Sequence, residues 1–265
     1  MECFSKTEQK LKKLPYVLAF VIPLAVMSFL CIKRGIYPFG ENCFLHIDMY
    51  HQYAPFFMEF LHKLKAQESL MYSWNLGIGS DFVATYAYYL ASPFNWLLIF
   101  CPQEHVIEFM TILVILKIAG SGLTFAIYLG KHFKTDSYLI TLVSLFYALS
   151  AFMAAYSWNI MWLDCIMLAP LIILALERLV YEKKCYLYCA LLALAIVSNF
   201  YISIMICIFL VCYFFVMQFE LTQNVAFRAN RMEERKRYRK EVFWYRIRNM
   251  ADFFFYSLLA GALGA

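Results

Sequence analysis

Thirty-five consecutive residues, Cys185 to Phe219, carry no charge. A run of that length is either one long tilted membrane helix or two short ones broken at Ser198-Asn199-Phe200-Tyr201. The flanking charge decides between them. Lys183-Lys184 precede the run, and Arg228 to Arg248 follows it with nine Lys or Arg against three Glu. The positive-inside rule places both flanks in the cytoplasm. An even number of crossings must then separate them, which makes Asn199 the outer tip of a hairpin of short helices.

The same reasoning organises the rest of the chain. It is 63% hydrophobic and 15% charged, which excludes a soluble globular domain and leaves a polytopic membrane protein. The net charge of +5 falls in segments assigned to the cytoplasm, so it reports topology and not a nucleic-acid partner. The spacing predicts an all-α transmembrane bundle with a cytoplasmic tail over 1–13. Spans are expected at 14–32, 106–130, 137–158, 165–181, 185–198 and 201–219. A basic cytoplasmic connection over 220–251 follows, then the start of a seventh span over 252–265. Ending 13 residues into that apolar run, the chain reads as the N-terminal part of a longer protein. A signal peptide is a poorer reading of the first span, because no small-x-small cleavage site precedes Lys33-Arg34. The nine cysteines show no CxxC pair or His-linked metal spacing and read as apolar packing residues.

Most of the chemistry-bearing side chains lie in the expected external loop, 33–105. Within it Tyr53, Phe56, Phe57, Phe60, Leu61 and Leu64 recur at helical spacing, with Glu59, His62, Lys63 and Lys65 on the other side. That pattern predicts an amphipathic interfacial helix, its aromatic face toward lipid or the bundle. The run Phe94 to Cys101 is too short to cross and reads as re-entrant or interfacial.

Asp48 sits between His46 and His51 and is followed by Gln52. A carboxylate there can deprotonate a hydroxyl, or hold a divalent cation with a second acid, for which Asp164 is the candidate. The plainer reading is a turn aspartate bonded to nearby amides. Tyr72, Trp74, Asn75, Tyr86, Tyr88 and Tyr89 suit the apolar face and the hydroxyls of a sugar, although an interfacial aromatic belt has the same composition. Asp164 opens an apolar span, which is costly unless it is paired or faces a cavity. Lys117 lies about 12 Å down the second span at 1.5 Å per residue. It is either a binder of an anionic headgroup or an ion-pair partner of Asp164 or Glu108.

These residues together carry a resemblance. Pro38-Phe39-Gly40, Asp48 with Gln52-Tyr53, Tyr72-Ser-Trp74-Asn75 with Gly77 and Gly79, Tyr88-Tyr89 with Ser92-Pro93, Met161-Trp162-Leu163-Asp164 and Asn199-Phe200-Tyr201 occur in order, and the set resembles the YfhO family of bacterial membrane proteins. The resemblance implies a GT-C type glycosyltransferase at the outer face of a bacterial cytoplasmic membrane, N-terminus inside. Its donor would be a polyprenyl-phosphate-linked sugar and its acceptor a cell-envelope polymer such as lipoteichoic acid. Asp48 would be the essential aspartate. His46, His51, Gln52, Trp74, Asn75, Tyr88, Tyr89, Lys117, Trp162, Asp164, Asn199 and Tyr201 would form the substrate site. A transporter of lipid-linked sugars and a non-catalytic scaffold subunit are the rivals. A transporter should keep its ionisable groups near the midplane, whereas most of these cluster at one end.

Overall fold

A computed structural model of the chain describes residues 13–37, 39–228 and 232–264, with the side chains of 221–241 excluded. The expected tail therefore lies outside the described residues except for Lys13, as do Pro38, residues 229–231 and Ala265. The chain is an all-α bundle that divides into two compact units. The first runs to Leu171 and takes back Val197–Phe200; the second comprises Ile172–Ile196 and Tyr201–Ala265.

In the first unit α1 (Leu14–Arg34) starts with Pro15 in its first turn and stops at Gly35, whose φ of 59° closes the helix onto the carbonyls of Cys31 and Ile32. The loop that follows contains a π-helical turn, Met49–Tyr53, running into α2 (Ala54–Ala66). A two-stranded antiparallel hairpin comes next, β1 (Tyr72–Ser73) with β2 (Ser80–Asp81), and then α3 (Phe82–Thr85). A second π turn, Tyr86–Leu90, and a 3-10 segment, Pro93–Phe100, lead to α4 (Val106–His132).

The aromatic face of α2 turns to the protein: Phe57, Phe60 and Leu61 are buried with Phe82, Leu98 and Met110. Glu59 and Lys63, expected on the outer face, are buried too. The reason is the hairpin, which folds over the polar side of α2. Ser73 Oγ and Asn75 Nδ2 donate to Glu59 at 2.6 and 2.9 Å. Lys63 Nζ donates to the carbonyls of Ser69 and Tyr72 at 3.1 and 2.9 Å.

Helix α1 packs against both α4 and α5 (Tyr138–Ala148). In lipid, helices associate through close approach of small residues rather than hydrophobic burial. Gly122 shows how close: a Cβ there would run into the Ala19 carbonyl oxygen. Thr141 Oγ1 adds a 2.8 Å bond to the Pro15 carbonyl. The stretch expected as a span over 137–158 is built from two helices in succession. Leu149 leaves helical geometry, and Ser150 Oγ accepts from the Met153 amide to start a separate α6 (Ala151–Tyr156).

Helix α7 (Leu163–Glu182) continues through Pro170, and α8 (Tyr186–Ser198) and α9 (Phe200–Arg228) meet at Asn199. Where a basic loop was expected over 220–251, the backbone is helical to Arg228 and again from Met232, in α10 (Met232–Gly264). In the second unit α10 is fastened to its neighbours by a 2.8 Å ion pair between Lys183 and Asp252. Tyr188 and Ser257 hydroxyls meet at 2.8 Å, and Phe214 and Phe253 stack at 4.4 Å.

Among the described residues four helical stretches are long and apolar enough to cross a membrane: Leu14–Arg34, Gln103–His132, Tyr138–Tyr156 and Phe200–Glu220. The spans expected at 165–181 and 185–198 fall short of that measure. The first lies in a helix bearing Asp164, Glu177, Arg178 and Glu182, and α8 has only 13 residues.

Candidate functional site

Asp48 opens the π turn Met49–Tyr53 with helical backbone angles, and its carboxylate makes no capping bond. The first amides of the turn are already satisfied: Met49 N bonds to His46 O at 3.2 Å, and Tyr50 N to Ile47 O at 3.2 Å. A turn aspartate bonded to nearby amides is therefore not what this residue is. Ile47 places it, with φ of 54°, a left-handed conformation that a β-branched residue adopts only under strain. The carboxylate is left exposed to solvent.

The C-terminal end of the same turn enters an aromatic cluster. Gln52 Nε2 donates to the Tyr89 hydroxyl at 3.3 Å, and Tyr53 packs on Tyr89 at 5.4 Å and stacks on Trp158 at 6.3 Å. The Tyr53 hydroxyl donates to Asn159 Oδ1 at 3.2 Å. Burial pushes the Tyr53 phenol well above its ordinary range, and the charge of nearby Asp48 and the Tyr89 and Tyr88 phenols push the same way. Tyr53 thus remains a neutral donor to Asn159. Tyr88 packs edge-on to Tyr89 at 4.6 Å and against Phe200 at 5.5 Å, and its carbonyl accepts from Asn199 Nδ2 at 3.2 Å. Three connections far apart in sequence are so brought to one place: the long loop, the Trp158-Asn159 turn and the Asn199 tip.

A second group lies in the bundle beneath. Lys117 Nζ meets Asp164 Oδ2 at 2.7 Å, the Ile160 carbonyl at 3.2 Å and Ser92 Oγ at 3.4 Å. The other Asp164 oxygen accepts from Ser92 Oγ at 3.0 Å. An ammonium has three protons, and these three partners occupy them. Of the two roles weighed for Lys117, this geometry is that of the ion pair with Asp164. Asp164 is likewise engaged on both oxygens. Among the described residues no three His, Cys, Asp or Glu side chains gather as a ligand set.

The other candidates separate. Asn75 belongs to the Glu59 latch, and Trp74 lies edge-on to Tyr72 at 4.9 Å while 77% exposed. His51 packs on Tyr50, Trp162 lies 6.4 Å from Tyr156, and Tyr201 belongs to the second unit. Tyr53, Asn159, Ser92 and Glu59 were not among the candidates. Asn159, an amide next to an apolar span, carried a signal of the same kind as Asp164, since both are polar groups costly to leave unpaired there.

Beside this site a cavity of about 760 Å³ opens between α1, the α5–α6 break and the loop over 36–46. Its wall includes Met27, Leu30 and Met153, and Arg34, Asn42 and His46 also line it. His46 is two residues before Asp48, and Ser157, also on the wall, immediately precedes Trp158-Asn159.

Against known proteins, a family model described as bacterial membrane protein YfhO matches residues 19–265. No curated protein and no solved structure matches the chain.

Proposed function

From the premise that the chain belongs to the YfhO family of bacterial membrane proteins, we propose that it is a membrane glycosyltransferase. It would move a sugar from a polyprenyl-phosphate carrier to a hydroxyl of a cell-envelope polymer at the outer membrane face. The observation that carries this reading is the exposed Asp48 carboxylate, uncommitted to capping and held by a strained residue at the edge of a tyrosine cluster. A general base must reach its proton without first breaking another bond. Asp48 takes the proton of the acceptor hydroxyl. The hydroxyl oxygen forms a bond to the anomeric carbon as the bond from that carbon to the phosphate oxygen breaks, and the lipid phosphate leaves with the electron pair. Tyr88, Tyr89 and Gln52, in the cluster that the other end of the same turn enters, offer ring faces and hydrogen-bonding groups suited to a sugar.

The test is sugar transfer by the reconstituted full-length protein, wild type against Asp48→Asn. The amide is nearly isosteric and cannot accept the proton, so transfer should fall by ~10²–10⁴ with the melting temperature unchanged. Wild-type turnover by the variant would refute a catalytic Asp48, and no transfer by the wild type from any polyprenyl-phosphate sugar would refute the transferase.

A further inference from the structure

With Lys117 neutralised by Asp164, the anionic group of a lipid-linked donor must be held elsewhere. Arg34 is the cation that meets this need. It ends α1 with its side chain exposed, it lines the cavity of about 760 Å³, and it has no ion pair among the described residues. Its backbone carbonyl is occupied by Asn42 Nδ2 at 2.7 Å, which fixes the residue against the loop and leaves the guanidinium available. No acidic side chain is among the described residues lining the cavity, and much of its wall is apolar, chiefly from α1 and the α5–α6 break with Ile118 of α4. An apolar wall with a permanent cation at one end is complementary to an amphiphile with a hydrocarbon tail and an anionic head.

His46 completes the polar part of the lining. Its Nδ1 lies 3.2 Å from the Phe44 carbonyl, and because a carbonyl only accepts, that nitrogen carries the proton and Nε2 remains for a ligand. The position of His46, two residues before Asp48, puts a ligand's head on the segment that presents the carboxylate.

We propose that this cavity is the donor site, with the Arg34 guanidinium holding the phosphate of a polyprenyl-phosphate carrier and Met27, Leu30 and Met153 lining the path of its first isoprene units. The proposal rests on the transferase reading for its choice of ligand. Guanidinium binds phosphate through two parallel N–H bonds, which an ammonium cannot reproduce.

The experiment measures binding of polyprenyl phosphate, with no sugar attached, to the full-length protein in lipid nanodiscs by native mass spectrometry, and sugar transfer by the same preparations. Arg34→Gln should weaken binding roughly tenfold or more, and Arg34→Lys should weaken it less. Met153→Trp, which fills the cavity without touching the cation, should also weaken binding. Asp48→Asn should bind like wild type. Unchanged binding in both Arg34→Gln and Met153→Trp overturns the site, even if Asp48→Asn abolishes transfer and so leaves the transferase intact. Equal competition by phosphatidylglycerol overturns it also, as the seat of an ordinary membrane lipid. Arg34-dependent, carrier-selective binding without transfer from any sugar-loaded carrier supports the site and removes the transferase reading instead. Melting curves of each variant separate lost binding from lost fold, and because Arg34 is exposed and unpaired, Arg34→Gln should melt with wild type.

Discussion

Lys117 and Asp164 are joined across 2.7 Å with each side chain only 2% exposed, and Ser92 bonds to both of them. The three residues come from α4, the start of α7 and the end of the long loop, so the pair ties the bundle to the segment that carries Tyr88 and Tyr89. Breaking a buried pair from one side leaves an unpaired charge and costs about 3–5 kcal/mol, whereas replacing both partners by apolar groups is often close to neutral. Lys117→Met should therefore lower the melting temperature sharply, and Lys117→Met with Asp164→Leu should recover most of the loss. A single variant as stable as wild type would show that the ion pair contributes nothing to assembly.

The fold class was legible because a membrane imposes it: uncharged runs and the cations between them leave few alternatives to a helical bundle. Periodicity also found α2, with Phe57, Phe60 and Leu61 on one face. What it could not supply was the partner of the opposite face. Glu59 and Lys63 look solvated in sequence because Ser73, Asn75 and the carbonyls of Ser69 and Tyr72 reach them from the hairpin and the turn before it, which no local pattern predicts. The site shows the same division. Asp48 and Asp164 were conspicuous by charge in unusual places, but the pairing of Asp164 with Lys117, 47 residues earlier, is a tertiary fact. Arg34 was invisible for the opposite reason: at the end of a membrane helix it reads as one more flanking cation.

The Glu59 latch makes its own prediction. Glu59→Ala removes the acceptor for Ser73 and Asn75 and one of the two carboxylates near Lys63, the other being Glu68 at 3.5 Å. Leaving buried donors unmatched costs about 1–3 kcal/mol, and the loss should be local. Limited proteolysis should cut between Tyr72 and Asp81 faster in the variant, while cleavage elsewhere keeps its wild-type rate. Uniform acceleration along the chain would mean that the latch belongs to the global fold.

Gly122 tests the helix packing. Because the atom facing it is the Ala19 backbone oxygen, which cannot rotate away, Gly122→Val forces α1 and α4 apart. Overpacking of this kind typically costs about 1–3 kcal/mol, seen as a lower melting temperature in detergent. Gly261→Val, at a position with nothing within 4 Å of an added Cβ, is the control. Equal effects at the two positions would place the cost in helix propensity and not in packing.

Ile47 gives the last prediction, in which stability and activity part company. Its φ of 54° costs roughly 1–2 kcal/mol in a residue with a Cβ, and its side chain is 55% exposed, so little apolar burial offsets that strain. Glycine adopts the same conformation freely but loses more entropy on folding, by roughly 0.5–1 kcal/mol. Ile47→Gly should therefore melt no lower than wild type, and up to about 1.5 kcal/mol more stable by that difference. The same substitution frees the backbone immediately before Asp48, so the carboxylate is no longer held in one orientation. A strained residue kept at a functional turn is the arrangement in which relief of strain reduces activity. Transfer by Ile47→Gly should fall in kcat with donor binding largely kept, because Arg34 and the aliphatic wall from Met27, Leu30 and Met153 are not altered. Should Ile47→Gly transfer sugar at the wild-type rate while gaining stability, the left-handed turn would be incidental to how Asp48 is presented.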